Sequence, residues 1–203
     1  MKRSFWIFSA AVMAVFLFCD VHAEEMTMST EKATFAAGCF WGVEKVFGAL
    51  PGVVSTQVGY TGGEKAQPTY EEVCTGLTGH AEAIEITFDP SKLSYGELLE
   101  VFFTHHDPTT LNRQGNDIGT QYRSAIFYHS PAQKREAEAV FALLASSHVL
   151  KQPVATTLEE AGPFYPAEEY HQKYLKKNPN GYCHLFLQAP KVGQLLKSAR
   201  TAR

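Results

Sequence analysis

The sequence is poor in the residues that build disulfide scaffolds, metal clusters and nucleic-acid surfaces. Its 203 residues include 4 cysteines, too few for a fold held together by disulfides. It contains no CxxC pair and no HExxH helix, the common spacings of zinc sites. Lys and Arg number 18 against 21 Asp and Glu, and the scattered basic residues exclude a footprint for nucleic acid. The composition, 45% hydrophobic and 19% charged, is typical of a globular protein and excludes disorder, collagen and coiled coil.

The only long apolar run is at the N-terminus. Lys2 and Arg3 precede an apolar stretch from Phe5 to Phe18, and the small residue Ala23 follows shortly afterwards. This pattern predicts a secretory signal peptide over residues 1–23, cleaved after Ala23. The stretch is shorter than the roughly 20 apolar residues of a membrane span, and an uncleaved anchor is the alternative. We expect an exported protein, periplasmic or secreted, without a stable membrane anchor.

Export makes the cysteine count informative. Cleavage removes Cys19 and leaves Cys39, Cys74 and Cys183, an odd number in an oxidising compartment. One thiol is therefore left over in any pairing, which favours redox or nucleophilic chemistry. One structural disulfide with an inert buried cysteine is the alternative.

The spacing of apolar residues predicts an α+β protein that begins after a flexible N-terminal segment, 24–32. Strands are expected at 33–37, 53–60, 81–88, 122–129 and around 154, and helices at 40–50, 95–104, 131–147 and 166–177. The core order of strand, helix, strand, strand, helix, strand is that of ferredoxin-like, split βαβ folds. We expect a two-layer sandwich in one domain, 33–203, with extra helices and a loose C-terminal tail from about residue 178.

The first chemical signal is Cys39, which lies between a predicted strand and the first turn of a predicted helix. Free backbone N–H groups and the helix dipole favour the thiolate at such a position. Cys39 is therefore the candidate nucleophile. Phe40 and Trp41 follow it and could form an aromatic wall suited to a methyl group, although packing in the core is the alternative for Phe40.

The second signal is Glu82, which shares one face of a predicted strand with Ile84, Ile86 and Phe88. A carboxyl group in an apolar setting is pushed towards its neutral form and becomes a proton donor near neutral pH. The alternative is that Glu82, near the start of the strand, is simply solvated.

The third signal is a set of polar side chains on two loops. Tyr70 lies on one loop, and Asp117 and Tyr122 lie in the polar stretch 114–123. Two phenols and an acid can bind a polar oxygen, whereas a structured turn is the alternative. The glycines of the stretch do not form a phosphate loop, because no Lys followed by Ser or Thr has the required spacing.

Five ordered blocks of the sequence contain these residues. They read GCFWGVE at 38–44, GYTGG with PTYEEVC between 59 and 74, TGHAE at 78–82, QGNDIGTQYRS at 114–124 and KNPNGYC at 177–183. Together they resemble peptide methionine sulfoxide reductases of the A type, and the resemblance covers the chain from about Thr34 to Cys183.

The resemblance implies thiol-dependent reduction of methionine S-sulfoxide, free or in oxidised proteins, and hence a role in repair of oxidative damage. It implies that Cys39 attacks the sulfur of the sulfoxide and becomes a sulfenic acid. Phe40 and Trp41 would hold the methyl group, and Glu82 would protonate the departing oxygen.

The remaining site residues are also implied by the resemblance. Tyr70 and Tyr122 would hydrogen-bond the oxygen, with Asp117 in the same pocket. Cys183 would resolve the sulfenic acid as a disulfide with Cys39, to be reduced by a thioredoxin-like protein or a dithiol. No bound cofactor or metal is implied, and size alone suggests a monomer.

Two other classes of function are compatible with the residues themselves. A cysteine hydrolase or acyltransferase would use Cys39 with a histidine base and would not need Cys183. A non-catalytic exported binding domain would be held by a bridge between Cys74 and Cys183. In the reductase interpretation Cys74 is left over, and the tail after Cys183 departs from family members that end in a glycine-rich stretch with a further cysteine.

Overall fold

The computed structural model describes residues 29–182 and 189–202. Residues 1–23, for which a signal peptide is predicted, and Cys183 lie outside these ranges. The elements in chain order are β1 (Glu31–Ala37), α1 (Phe40–Phe47), β2 (Val53–Thr61), α2 (Tyr70–Cys74), β3 (Ala81–Phe88), α3 (Tyr95–His105), β4 (Arg113–Gln114), β5 (Asp117–Ile118), a 3-10 helix (Thr120–Tyr122), β6 (Ser124–Tyr128), α4 (Pro131–Ser147), β7 (Thr157–Glu160), β8 (Tyr165–Pro166), α5 (Tyr174–Lys177) and α6 (Pro190–Thr201).

A six-stranded sheet in the order β7-β6-β1-β3-β2-β8 organises the fold. Its four central strands are antiparallel neighbours, with β1 between β6 and β3, and β3 between β1 and β2. This is the strand order of a split βαβ fold in which α1 connects β1 to β2 and α3 follows β3. The predicted α+β architecture is confirmed, and β7 and β8 extend the sheet at its two edges.

The main core lies between the helices and one face of the sheet. Phe35 of β1 stacks on Phe47 of α1 and on Phe102 of α3, with ring centroids 5.4 and 5.1 Å apart. Ile84 and Ile86 of β3 belong to the same core. The opposite face carries a smaller cluster of alanines, with Phe127, against which Ala161 and Phe164 pack.

Two segments differ from the sequence prediction. Residues 70–74, expected in a loop, form the short helix α2, because Thr69 and Glu72 make a capping box that the prediction overlooked. The helix expected over 166–177 is reduced to α5. Pro166 pairs with β2 instead, and the left-handed backbone of Lys173 (φ 52°) interrupts the helix. The side-chain amide of Gln172 bonds both backbone groups of Val58, so tertiary contacts override the helical pattern here.

The boundaries of the strands also shift. β1 begins at Glu31, two residues before the predicted start, and the last predicted strand forms at Thr157–Glu160 rather than around residue 154. The predicted 122–129 strand begins only at Ser124, because Thr120–Tyr122 closes a 3-10 turn.

The prediction of a loose C-terminal tail is wrong for residues 190–201, which form α6. Val192 and Leu196 lie one helical turn apart and are both buried. Arg200 forms ion pairs with Glu97 and Glu100 of α3, at 3.3 and 3.5 Å. Amphipathic packing of α6 therefore fixes the end of the chain. Within the described ranges, no helix is both long and apolar enough to cross a membrane.

Candidate active site

Cys39 lies where β1 turns into α1. Gly38 before it has a φ of 86°, a left-handed conformation that glycine adopts without a steric penalty. This turn places Cys39 as the residue that precedes the first helical turn, with its side chain partly buried and its thiol free of a disulfide. The predicted strand-to-helix position of Cys39 is confirmed.

Glu82 lies on β3, on the face that packs against the helices. It is 2% exposed, and its Oε2 accepts a hydrogen bond from the backbone N–H of Phe40 at 3.0 Å. In the register of the sheet it stands opposite Tyr60 of β2. The alternative of a solvated glutamate is therefore excluded, and the strand parity correctly predicted an inward-facing carboxyl group.

Burial raises the pKa of Glu82 from 4.5 to about 8. The bond from Phe40 N–H lowers the pKa because it favours the carboxylate, whereas the negative charge of Asp117 raises it further. Burial outweighs the hydrogen bond, so Glu82 is protonated at neutral pH and can donate a proton.

The thiol of Cys39 is also protonated in the substrate-free site. The backbone N–H groups of Trp41 and Gly42 lower its pKa, as expected at the start of a helix. Burial has a larger and opposite effect. The charge of Glu82, once it ionises, and the charge of Asp117 add to it, so the pKa is raised well above that of an ordinary cysteine. The predicted stabilisation of the thiolate by the helix terminus is therefore present, but desolvation exceeds it.

The two aromatic residues after Cys39 have different environments. Phe40 is 1% exposed and packs against Tyr60 and His171, with centroids 6.0 and 5.0 Å apart. It is thus part of the core, which was the alternative interpretation. Trp41 is partly exposed, stacks on Tyr174 at 3.8 Å and donates from Nε1 to Nδ1 of His171 at 2.9 Å. Its indole ring is held in place from two directions.

The structure brings Tyr70, Tyr122 and Asp117 to the same site. Burial raises the pKa of both tyrosines, and negative charge on Glu82 contributes in each case. The charge of Asp117 acts on Glu82, Cys39 and Tyr122. Both phenols stay protonated at neutral pH and can donate hydrogen bonds. Two segments that are distant in sequence, α2 and the stretch 114–122, therefore converge.

A layer of residues behind the site was missed by the sequence analysis. Tyr60 donates to Glu168 at 2.8 Å, and Glu168 accepts from the backbone N–H of Tyr70 at 2.9 Å. His171, 1% exposed, contacts the rings of Phe40, Trp41 and Tyr70. The assignment of 166–177 to one helix concealed this cluster. The aromatic residues around Glu168 and His171 were the signal that could have revealed it.

Cys74 lies at the rim of the site, exposed and free of a disulfide. The hydroxyl of Tyr70 bonds its thiol and lowers the pKa of that thiol, while burial raises it more strongly. Tyr182 donates to Oδ1 of Asp117 at 3.3 Å. The chain therefore reaches the site one residue before Cys183.

Within the described residues, no group of His, Cys, Asp and Glu side chains could hold a metal ion.

Comparison with known proteins identifies the family. The family model described as peptide methionine sulfoxide reductase matches residues 31–202. The curated peptide methionine sulfoxide reductase MsrA of Methanothermobacter thermautotrophicus is 60% identical over 155 residues, which cover 76% of this chain and 92% of the relative.

Solved structures agree with this result. Mxr1 from Saccharomyces cerevisiae in reduced form has a TM-score of 0.73 and 39% identity, covering 78% of this chain and 92% of Mxr1. Mxr1 in complex with Trx2 has a TM-score of 0.51 and 26% identity, covering 73% of this chain and 86% of that chain. The chain belongs to the peptide methionine sulfoxide reductase family, whose A-type members are peptide-methionine (S)-S-oxide reductases.

Proposed function

We propose that Cys39 and Glu82 carry out the reduction of methionine S-sulfoxide as nucleophile and proton donor. The observation that carries this proposal is the position of Glu82. Its carboxyl group is buried near Cys39 and accepts a hydrogen bond from the N–H of Phe40, and its pKa is raised to about 8. A sulfoxide oxygen is a poor leaving group until it is protonated. A neutral carboxyl group next to a cysteine supplies the proton where the S–O bond breaks.

The substrate is bound through its oxygen and its methyl group. The hydroxyls of Tyr70 and Tyr122 donate hydrogen bonds to the sulfoxide oxygen, and Asp117 lies in the same pocket. The indole ring of Trp41, fixed by His171 and Tyr174, holds the methyl group together with the ring of Phe40. This arrangement selects a methyl sulfoxide by an apolar contact on one side and hydrogen-bond donors on the other.

The first step transfers one oxygen atom from the substrate to Cys39. The sulfur of Cys39 bonds to the sulfoxide sulfur while Glu82 protonates the oxygen. The oxygen then moves to Cys39 as a sulfenic acid, methionine leaves, and the thiol proton restores Glu82. The sulfoxide gains two electrons and the Cys39 sulfur loses them, so this step needs no further reductant and no prosthetic group.

The second step regenerates the thiol. The thiol of Cys183 displaces water from the sulfenic acid and forms a disulfide with Cys39, which an external dithiol reduces. The bond between Tyr182 and Asp117 supports this role, because it brings the residue before Cys183 to the site. The complex of the similar protein Mxr1 with Trx2 supports a thioredoxin-like reductant for this chain.

The N-terminal sequence supports export of a single-domain enzyme. The basic pair, the apolar stretch and Ala23 are those of a signal peptide that is removed before the enzyme acts in the periplasm or outside the cell. We assign residues 33–203 to one catalytic domain, acting as a monomer. The hydrolase alternative is not favoured, because within the described residues no histidine nitrogen bonds Cys39, and the imidazole of His171 accepts from Trp41.

A single-turnover experiment tests the proposal. The reduced mature protein is mixed, without reductant, with a peptide that contains methionine S-sulfoxide, and methionine and disulfides are measured by mass. The wild type should form about one methionine per enzyme and a disulfide between Cys39 and Cys183. Cys39→Ser should form no methionine, and Cys183→Ser should form methionine but retain a sulfenic acid.

Cys74→Ser is the matched control, and it should behave as the wild type. The R epimer of the same peptide should yield no methionine, because one enzyme type serves each epimer. Absence of methionine from the wild type with the S epimer would overturn the proposal, and acyl substrates would then be tested.

A further inference from the structure

The hairpin that carries Asp117 is too small to hold its own shape. It consists of β4, Arg113–Gln114, and β5, Asp117–Ile118, in a sheet of two strands. Isolated two-stranded hairpins are marginal in water even when they are longer. The position of Asp117 must therefore depend on contacts outside the hairpin.

The side chain of Gln114 provides such a contact. Gln114 is paired with Asp117 across the hairpin and is 5% exposed. Its Oε1 accepts from the backbone N–H of Asp107 at 3.0 Å, and its Nε2 donates to the backbone oxygen of Asp107 at 3.1 Å. One side-chain amide thus bonds both backbone groups of a single residue, as a neighbouring strand would.

Asp107 is itself attached to a rigid part of the fold. It follows His106, a 1% exposed residue at the end of α3. The ring of His106 donates from Nδ1 to the oxygen of Phe102 at 2.6 Å and accepts at Nε2 from the hydroxyl of Ser124, on β6, at 2.7 Å. Burial lowers the pKa of His106 to about 4, which keeps the ring neutral and this bonding pattern fixed at neutral pH.

We propose that Gln114 is a positioning residue, whose amide fixes the Asp117 hairpin on the end of α3 and so determines where the Asp117 carboxylate lies beside Glu82 and Cys39. This inference rests on the proposed function, because it concerns how that site is tuned. Tyr182 also bonds Asp117, but it approaches from the C-terminal segment rather than from the fold's core.

The consequence is electrostatic. The titratable groups that act on Glu82, or on which its charge acts, are Asp117, Cys39, Tyr60, Tyr70, Cys74 and Tyr122. Burial is the largest cause of the raised pKa of Glu82, and of these groups it is Asp117 whose charge raises that pKa further. If the hairpin is released, the Asp117 carboxylate can move towards water, where its repulsion of an ionised Glu82 is screened. Glu82 then loses its proton at lower pH.

The test uses Gln114→Met, which has a similar volume and lacks both hydrogen bonds. Its matched control is Gln133→Met. Gln133 is 4% exposed and makes a comparable two-point contact, with His129 N–H at 2.9 Å and the oxygen of Lys32 at 2.7 Å. The readout is the pH dependence of single-turnover methionine formation, for each variant alone and combined with Asp117→Asn.

In Gln114→Met, the fall of the rate at high pH, the basic limb of the profile, should shift to lower pH, and in Gln133→Met it should not move. A shift of about half a pH unit lowers the rate on that limb about threefold relative to the wild type at the same pH. In the Asp117→Asn background, Gln114→Met should cause no further shift. Gln114→Asn has a shorter amide that keeps at most part of the contact. Its basic limb should lie between those of the wild type and Gln114→Met, and it replaces Gln114→Met if that variant does not fold.

Two results would overturn the inference: a limb in Gln114→Met that matches the wild type, or an equal shift when Asp117 is already neutral. Both are read against a wild type that forms methionine. A wild type that forms none contradicts the proposed function instead, so failures of the two proposals are distinguishable.

Discussion

The residue after Cys39 holds the buried carboxyl group of Glu82: the backbone N–H of Phe40 donates to Oε2 of Glu82 at 3.0 Å. Because Phe40 begins α1, its N–H has no acceptor within the helix and is available to a side chain. The same chain turn that exposes Cys39 therefore also orients Glu82. A change in this turn therefore alters the positions of Cys39 and Glu82 together.

Methionine formation is expected to decrease as the pH rises above about 8. Glu82 donates a proton only while it is protonated, and its pKa is raised to about 8. The single-turnover rate, measured between about pH 6 and 10, should be constant below that pKa and fall as the pH rises above it. Glu82→Gln should lose a factor of about 10² to 10⁴ and show no such limb. A wild-type rate that is unchanged up to about pH 10 would contradict this role.

Glu82→Gln is expected to be more stable than the wild type in alkaline solution. The folded pKa is raised from 4.5 to about 8, so the folded state binds this proton more tightly than the unfolded chain. The resulting stabilisation is complete below 4.5 and is lost as the pH rises through 8, whereas the amide undergoes no such loss.

Chemical unfolding of both proteins at about pH 5 and about pH 9 measures this effect. From about pH 5 to about pH 9, the free energy of unfolding of the variant minus that of the wild type should increase by a few kcal/mol, because each unit of pKa difference corresponds to about 1.4 kcal/mol. The glutamine oxygen can still accept from Phe40 N–H, so packing is preserved. The same difference at both pH values would show that Glu82 is ionised in the folded site.

Trp41→Phe is expected to destabilise the protein and weaken substrate binding. The phenyl ring keeps the stack on Tyr174 but removes the donor to Nδ1 of His171, a residue 1% exposed. Leaving a buried acceptor unpaired costs about 1–3 kcal/mol. Chemical unfolding and the KM for a sulfoxide peptide measure the two effects. Tyr174→Phe, which keeps its ring, is the control, and equal stability of the two variants would argue against a role for the bond.

Leu196→Ala is expected to destabilise the fold through α6 while leaving the chemistry intact. Leu196 is 6% exposed and belongs to the main core, so truncation should cost about 2–5 kcal/mol. Arg200→Ala removes partly exposed ion pairs to Glu97 and Glu100 and should cost at most about 1 kcal/mol. Thermal unfolding orders the two variants. If Arg200→Ala were the more destabilising, ionic rather than apolar contacts would hold α6.

Local patterns were sufficient for the elements whose signals are short in range. The spacing of apolar residues predicted a helix from residue 95, and α3 begins at Tyr95, where Ser94 and Glu97 form a capping box. The equivalent box at Thr69 and Glu72 was in the sequence but was not recognised. The segment after Pro166 could not be predicted in this way, because the amide of Gln172 bonds Val58, 114 residues earlier in the chain.

The sequence by itself determined the order of the core strands and helices, the strand-to-helix position of Cys39 and the inward face of Glu82. These features follow from the periodicity of apolar residues and from turn residues close in the chain. The strand pattern indicated a neutral Glu82, but only the tertiary structure decided that Cys39 is protonated as well. The pKa values of Cys39 and Glu82 depend on burial and on the charge of Asp117, which comes from another part of the chain. Desolvation is a property of the assembled core, so no local pattern could show that it exceeds the effect of the helix terminus.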